Sequence, residues 1–394
     1  VTAQTPFGPG EAFILPEVIE LKKQGHEVVV FPLRPEKNLA QGREAAEVGR
    51  FTVRISLFNL PVFLRAVRIA VFNPGLAVHI LRNIFQHSGS FKKCLKNLVV
   101  IPKGFVIGEE VKRRGVEHIH AHWASTPSTA AYIASLYSGV PWSLTAHRWD
   151  IAESNMLSVK ARSSKFIRAI DRKGAEEIKE QIPANVWEKV RVVHVGVVLP
   201  SFGCVKEKGS FTIACIANLV PKKGHKFLLE ACSMLRERGI AMRCFLFGDG
   251  PLRNELQQIA DELNLNGIVE FRGRVAHDEI LKLYATGDVS VMVLPSIETA
   301  DLEKEGIPVA LMEAMAAGIP VISTTTGGIP ELLDSGAGIL VPPEDSEALA
   351  NAIQLLMEDS EMRSKVGAKG REKVEKEFAI SRIAKKLVSL FAQQ

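Results

Sequence analysis

Short β-branched or apolar runs alternate with stretches of helical periodicity along most of this chain, and the runs fall into two series. In the first series, Glu27–Phe31, Val116–His122, Trp142–Ala146, Lys165–Ala169 and Val190–Val195 read as strands bounded by Gly, Pro and polar residues. A helical pattern over Ala12–Gln24 is closed by Gly25, and Pro16 inside it predicts a kink near the first turn. In the second series the strands are Thr212–Ala217, Arg243–Phe247, Ile268–Arg272, Ser290–Leu294, Val321–Thr324 and Gly338–Val341. Helices are predicted between them at Lys226–Arg238, Leu252–Leu263, Asp278–Thr286, Val309–Ala317 and Ser346–Glu358. Alternating strand and helix predict parallel sheets covered on both faces, hence an α/β chain of two doubly wound, Rossmann-like domains.

At 394 residues the chain is long enough for two cores. The best linker is Pro200-Ser201-Phe202-Gly203 with the charged Lys206–Lys208 after it. This predicts a first domain at 1–200, a second at 201–377 and a last helix at 378–394 returning toward the first domain. Ligands of open α/β sheets bind outside the carboxyl ends of the strands, so the domains are expected to face each other across a cleft. Val1-Thr2-Ala3 runs at once into the turn Pro6–Gly10, which in such a domain normally follows a complete strand. Part of a first strand is therefore expected ahead of Val1.

Composition narrows the class. Apolar residues make up 46% and charged residues 24%, which excludes a wholly disordered chain. The cysteines Cys94, Cys204, Cys215, Cys232 and Cys244 form no CxxC pair, which argues against a zinc site or disulfide framework and for a reducing compartment. No apolar run approaches the roughly 20 residues of a membrane span, and nothing resembles a signal peptide. A cytoplasmic protein is expected. Val48–Gly108 contains no Asp or Glu, yet holds Arg50, Arg54, Arg65, Arg68, Arg82, Lys92, Lys93, Lys96 and Lys103. These are interleaved with Phe58, Leu60, Phe63, Leu64, Val67, Ile69, Phe72, Leu81 and Phe85. Such a segment suits an anionic membrane surface, on the inner face of the plasma membrane; the plainer reading is helices packed on the first domain with their basic face in water.

The densest chemical signal runs from Glu305 through Gly306, Ile307, Pro308 and Val309 to Glu313, followed by the small-residue run Ala314–Gly318. Pro308 suits the first position of a helix, which places Glu305 in the preceding loop and Glu313 in the second turn. Free N–H groups at that helix start form an anion site fit for a diphosphate. A carboxylate on either side accepts from paired hydroxyls, one from a sugar and one from a ribose.

This segment resembles glycosyltransferase family four, whose hallmark is two glutamates separated by seven residues in an EGxPxxxxEAMAxGxPV setting. The resemblance covers nearly the whole chain, and the Ile297–Lys304 stretch is similar to that of bacterial exopolysaccharide or colanic-acid-type enzymes. It implies the GT-B fold, contact of Glu305 with the donor sugar and of Glu313 with the ribose. Ala217–Gly224 resembles the family's GRLxxxKG loop, so the resemblance gives Lys223 the donor diphosphate. Asn218 stands where the family usually has Arg, a lost cation for which Arg272 or Arg274 is the expected substitute. Gly248-Asp249-Gly250 and Gly327-Gly328-Ile329-Pro330-Glu331 also match, each as readily a turn as a site.

In the first domain, Ile119–Trp123 and Leu144–Asp150 end two predicted strands and are similar to the family's two histidine elements. The resemblance gives His147 contact with the donor sugar and places His122 and Arg148 on the acceptor side. Asp150 orients the histidine or caps the next segment. Gly8 and Gly10 resemble the family's opening loop, where backbone approaches acceptor and phosphate. Val198 departs from the usual Asp.

No Asp-x-Asp pair occurs, so no metal or other cofactor is expected, and the helix terminus with Lys223 would carry the leaving-group charge. The implied reaction is retaining transfer of a hexose-type sugar from a nucleotide diphosphate to a saccharide or polyisoprenyl-linked saccharide, in envelope or exopolysaccharide synthesis. Nucleic acid is not an expected partner. A sugar-nucleotide 2-epimerase of the same architecture and a non-catalytic nucleotide-binding homologue remain as alternatives.

Overall fold

The computed structural model describes residues 1–7, 11–36, 38–40, 42–202, 209–299 and 305–393. The chain forms two compact units, Val1–His194 with Ile383–Gln394, and Val195–Arg382. The boundary therefore falls a few residues ahead of the predicted linker, whose Lys206–Lys208 lie outside the described residues.

The first unit holds a parallel sheet of β1 (Ile119–His122), β2 (Trp142–Ala146), β3 (Ile167–Ala169) and β4 (Val190–Val192), in that spatial order. The expected strand at Glu27–Phe31 is reduced to isolated bridges, Val30 to Thr52 and Pro32 to Thr2. Pro32 has no N–H to give a ladder, which limits pairing there. The first helix begins at Ile14 rather than Ala12, so Pro16 falls in its first turn, where a missing N–H costs nothing.

Residues 60–114 form four successive helices: Leu60–Phe72, Pro74–His87, Phe91–Val99 and Ile101–Arg114. Their inner stripe (Val62, Ala66, Ile69, Ile80, Ile84) enters the core. Phe58, Phe63, Phe72, Phe85 and Phe91 do not; they are 54–86% exposed. The helices pack on this unit, as the plainer sequence reading has it, and apolar as well as basic side chains reach water. Among the described residues no single helix is long and apolar enough to cross a membrane, and the first two helices meet at a 109° bend.

The second unit carries six parallel strands: β5 (Thr212–Ile216), β6 (Arg243–Phe247), β7 (Val269–Gly273), β8 (Val291–Leu294), β9 (Val321–Thr324) and β10 (Ile339–Val341). Their order is β10-β9-β8-β5-β6-β7. The chain thus lays three strands to one side, then crosses back to pair β8 with β5. β5 and β8 lie side by side at this switch point, and such sheets bind ligands outside the carboxyl ends of the strands there.

The helix Val309–Ala316 follows β8 and buries Leu311, Met312, Ala314, Met315 and Ala316. The small-residue run after Glu313 is a packing feature. A Cβ on Gly367, in the helix Ser360–Glu377, would stand 3.3 Å from the Gly318 carbonyl carbon, so that helix lies close against the run's end.

Candidate functional site

The switch point of the second unit gathers the predicted donor residues. The β5 loop delivers Lys222 and Lys223 on a short 3-10 turn, and the amide of Ile297, just past β8, donates to the Lys222 carbonyl at 2.9 Å. Gly224 permits this approach, since it sits at φ +65° and a Cβ would lie 3.0 Å from the Pro295 carbonyl carbon. Two chain segments remote in sequence are thus held together, and Glu305 lies between them.

Glu305 is 8% exposed. Its Oε2 lies 3.0 Å from Lys223 Nζ, and its Oε1 lies 3.8 Å from Lys222 Nζ. Oε1 is buried without a hydrogen-bond partner among the described residues. A buried carboxylate oxygen left in that state costs about 1–3 kcal/mol or more, which a hydroxyl-bearing ligand would recover. Pro308 is the cap residue before the helix rather than its first residue, and its carbonyl accepts from Leu311 and Met312. The Val309 and Ala310 amides have no partner among the described residues, so the helix start is open to an anion. Ile307 contributes only backbone here, because its side chain is in the core.

Behind this loop stands the glycine pair that sequence left undecided. The Gly328 amide donates to the Gly306 carbonyl at 3.2 Å. Gly327 sits at φ +55°, with room for a hydrogen but not a methyl against the Glu305 backbone. The pair buttresses the loop rather than meeting a ligand.

Glu313, in the second helical turn, meets His277 Nε2 at 2.9 Å, a partner that sequence reasoning missed. Nothing short of the fold brings residue 277 to residue 313. Arg274 is exposed just past β7 and makes no ion pair among the described residues. Arg272 pairs with Glu270 at 2.8 Å and lies over the Phe245 ring at 4.5 Å, so it is the more engaged of the two. Asn218 remains in the β5 loop, where its neighbour Leu219 donates to the Asp249 carbonyl at 3.1 Å.

In the first unit His147 follows β2 and caps the helix Arg148–Glu153. Asp150 accepts the His147 amide at 2.6 Å, while the Asp150 amide faces the ring, forming a reciprocal capping box. With the Asp150 amide at the capping side of the ring, Nε2 is the nitrogen left over for a ligand. That Nε2 is buried without a partner among the described residues. Burial, aided by His122 and Arg168, holds the ring's pKa well below 6.5, so it is a neutral donor rather than a cation. Asp150, also buried, is pushed up to about 7 by desolvation, against amide bonds that favour its charge.

His122 is tied into a buried cluster: its Nε2 lies 3.3 Å from Glu17, which accepts from Arg168 at 2.7 Å. Glu17 stays ionised, its pKa lowered to about 2 by Arg168 and His122 in spite of burial. Arg148, expected on the acceptor side, is paired with Asp171 (3.3 Å) and Glu177 (2.9 Å), the cap residue and a member of the helix Arg172–Gln181. Gly8 and Gly10 lie outside the described residues, as do residues 300–304 of the stretch before Glu305.

The sequence reading missed a cavity of about 600 Å³ beside His147. Trp123 connects the two, its ring 4.3 Å from that of His147 and 5.3 Å from that of Trp149. Trp123 is held by Glu11, which accepts from its indole and from the amides of Ala3, Gln4 and Thr5. The available signal was two tryptophans, out of four in the chain, each just past a predicted strand end. Among the described residues no group of three or more His, Cys, Asp or Glu side chains could hold a metal.

Residues 202–373 match the family described as Glycosyl transferases group 1. The chain is 39% identical over 208 residues to a candidate colanic acid biosynthesis glycosyltransferase, WcaL, of Escherichia coli K12, covering 52% of this chain and 51% of that protein. It is 34% identical over 195 residues to the amylovoran biosynthesis glycosyltransferase AmsK of Erwinia amylovora, covering 48% and 47%. The chain spans about half the length of the curated relatives it matches. In fold it is similar to Anabaena Alr3699/HepE, solved in complex with UDP and glucose, with TM-score 0.70 and 18% identity over 100% of this chain and 98% of that one. The matched segment contains the switch-point site, so residues 202–373 carry the pattern of the glycosyl transferases group 1, and the whole chain has the fold of the solved glycosyltransferase structures, GT-B.

Proposed function

We infer that this protein transfers a hexose-type sugar from a nucleotide-diphosphate sugar to a saccharide or lipid-linked saccharide, in envelope or exopolysaccharide synthesis. The observation that carries this is the buried, unpartnered Oε1 of Glu305, flanked by Lys222 and Lys223 and by the open helix start at Val309. In this reading Lys223 and the helix amides of the second unit take the diphosphate, Glu305 takes a sugar hydroxyl, and Glu313 takes the ribose. The bond from the anomeric carbon to the diphosphate oxygen breaks. The acceptor oxygen bonds to the same face of that carbon, and its proton passes to the departing diphosphate. Two lysines and a helix terminus supply positive charge where the leaving group gathers negative charge, so no divalent ion is required.

The exposed phenylalanines of residues 58–91 support attachment to an anionic membrane surface, on the inner face of the plasma membrane. Apolar insertion dominates over charge in this reading. Arg65 and Arg68 are paired with Glu109 at 2.6 and 2.8 Å, and Lys103 is buried on three backbone carbonyls, so fewer cations face outward than the sequence promised.

Incubating the full chain with UDP-glucose or GDP-mannose after exhaustive chelation tests the transferase reading. Release of nucleoside diphosphate from the productive donor supports it. An epimerised sugar nucleotide, or activity restored only by magnesium, would contradict it.

A further inference from the structure

The cavity in the first unit has two chemically different walls. On one side stand the indoles of Trp123 and Trp149 with the carboxylate of Glu153. Glu153 ends the helix that His147 caps, and Lys96 lies 3.5 Å from its Oε1. Its Oε2 is buried without a hydrogen-bond partner among the described residues. On the other side stand Leu57, Leu95 and Val99. This apolar wall continues outward: Phe58 follows Leu57 and is 83% exposed, and Phe91, one turn before Leu95, is 86% exposed.

We propose that this cavity binds an amphipathic glycoside, its sugar ring against Trp149 and Trp123 with a hydroxyl donated to Glu153, and its apolar aglycone along Leu57, Leu95 and Val99. Each single-natured ligand leaves something unmet. A bare acyl chain would lay hydrocarbon against Glu153 and Lys96, the charged residues of the same lining. A free oligosaccharide would leave the leucine wall and its phenylalanine continuation in water. Indole faces suit the C–H face of a sugar ring while leaving its hydroxyls to polar partners. The Trp123 ring spans from this cavity to His147, so a sugar held here lies beside the histidine assigned to the donor sugar. As the acceptor site, this deepens the transferase reading and rests on it.

Isothermal titration of the full chain with n-octyl β-D-glucopyranoside, below its micelle-forming concentration, tests the proposal. Saturable binding is expected, weakened about tenfold by Trp149→Ala and several-fold by Glu153→Gln. Methyl β-D-glucopyranoside is expected to bind about tenfold more weakly than the octyl glycoside. Octylphosphocholine, which has the tail without the sugar, is expected not to compete. Equal affinity for octylphosphocholine, indifference to Trp149→Ala, or no binding would each overturn it. Thermal stabilisation by UDP or GDP, measured on the same samples, reads the second unit separately. Glycoside binding without any nucleotide effect would sink the transferase reading and leave the cavity's ligand class standing. The reverse result would sink only the cavity proposal.

Discussion

Replacing Gly327 by alanine should separate the geometry of Glu305 from the stability of the unit that holds it. The new Cβ would stand 2.8 Å from the Glu305 carbonyl carbon and nearer still to its oxygen. Carbon atoms in contact settle about 3.5–4.0 Å apart, so the Glu305 loop must retreat by about an ångström. Misplacement on that scale costs on the order of 10²-fold in rate, because the reacting groups lose their near-attack geometry. The substitution also strains the backbone, since φ is +55° there, at roughly 1–2 kcal/mol. Gly239→Ala supplies the control. Gly239 sits at φ +75°, and a methyl group there would meet nothing within 4 Å, so it carries the strain without the collision. Gly327→Ala should lose more melting temperature than Gly239→Ala, because the loop must also move, and it alone should lose about two orders of magnitude in kcat. Nucleoside diphosphate release under saturating donor measures this. If Gly327→Ala lowers kcat no more than Gly239→Ala does, the buttress argument is wrong.

Lys223→Ala should reduce kcat/KM about 10–100-fold and abolish nucleotide-induced thermal stabilisation. Lys222→Ala should do less, because its ammonium stands 3.8 Å from Glu305 against 3.0 Å for Lys223; equal effects on donor KM would reject that ranking. Acidification from pH 7 to 5 should lower the melting temperature. His118, His120 and His147 are buried neutral, with burial taking His118 to about 4 and the other two well below 6.5. The unfolded chain binds protons below pH 6.5 that these folded groups refuse, so stability present above 6.5 is lost on the way down, about 2 kcal/mol by pH 5 for His118 alone. Asp150, pushed up to about 7, works in the opposite sense as a counterweight, and a melting temperature that rises on acidification would show it to dominate. Phe72→Ser with Phe85→Ser, at side chains 79% and 65% exposed, should weaken co-sedimentation with phosphatidylglycerol vesicles about tenfold or more. Binding that survives both changes but vanishes in high salt would put the attraction in charge rather than apolar insertion.

The parts of this molecule that a sequence reader can find are those whose signal is local. Arg243–Phe247, Val321–Thr324 and Ser346–Glu358 were predicted with the bounds they have, because a buried parallel strand or an amphipathic helix writes its period into consecutive residues. The Glu305–Glu313 frame is equally local: one loop and one helix set its spacing. What resisted is chemistry decided by partners far along the chain. Lys103 reads as a surface cation, yet its ammonium is spent on the carbonyls of Pro32, Leu33 and Ile55, some 48–71 residues away. Arg65 and Arg68 belong to an acid-free stretch, yet Glu109 neutralises both from just beyond its end. Arg148 sits beside His147 in sequence and points its charge to Asp171 and Glu177 instead. The same blindness hid Glu153, which matters only because the fold sets it in one cavity lining with Leu57, Leu95 and Trp123. A charged residue's position along the chain therefore says whether it can reach a site, but only the fold says whether its charge is still unspent when it arrives. Here it is unspent at the helix start after β8, on the free oxygen of Glu305 and on that of Glu153, and those are the places where ligand chemistry is to be sought.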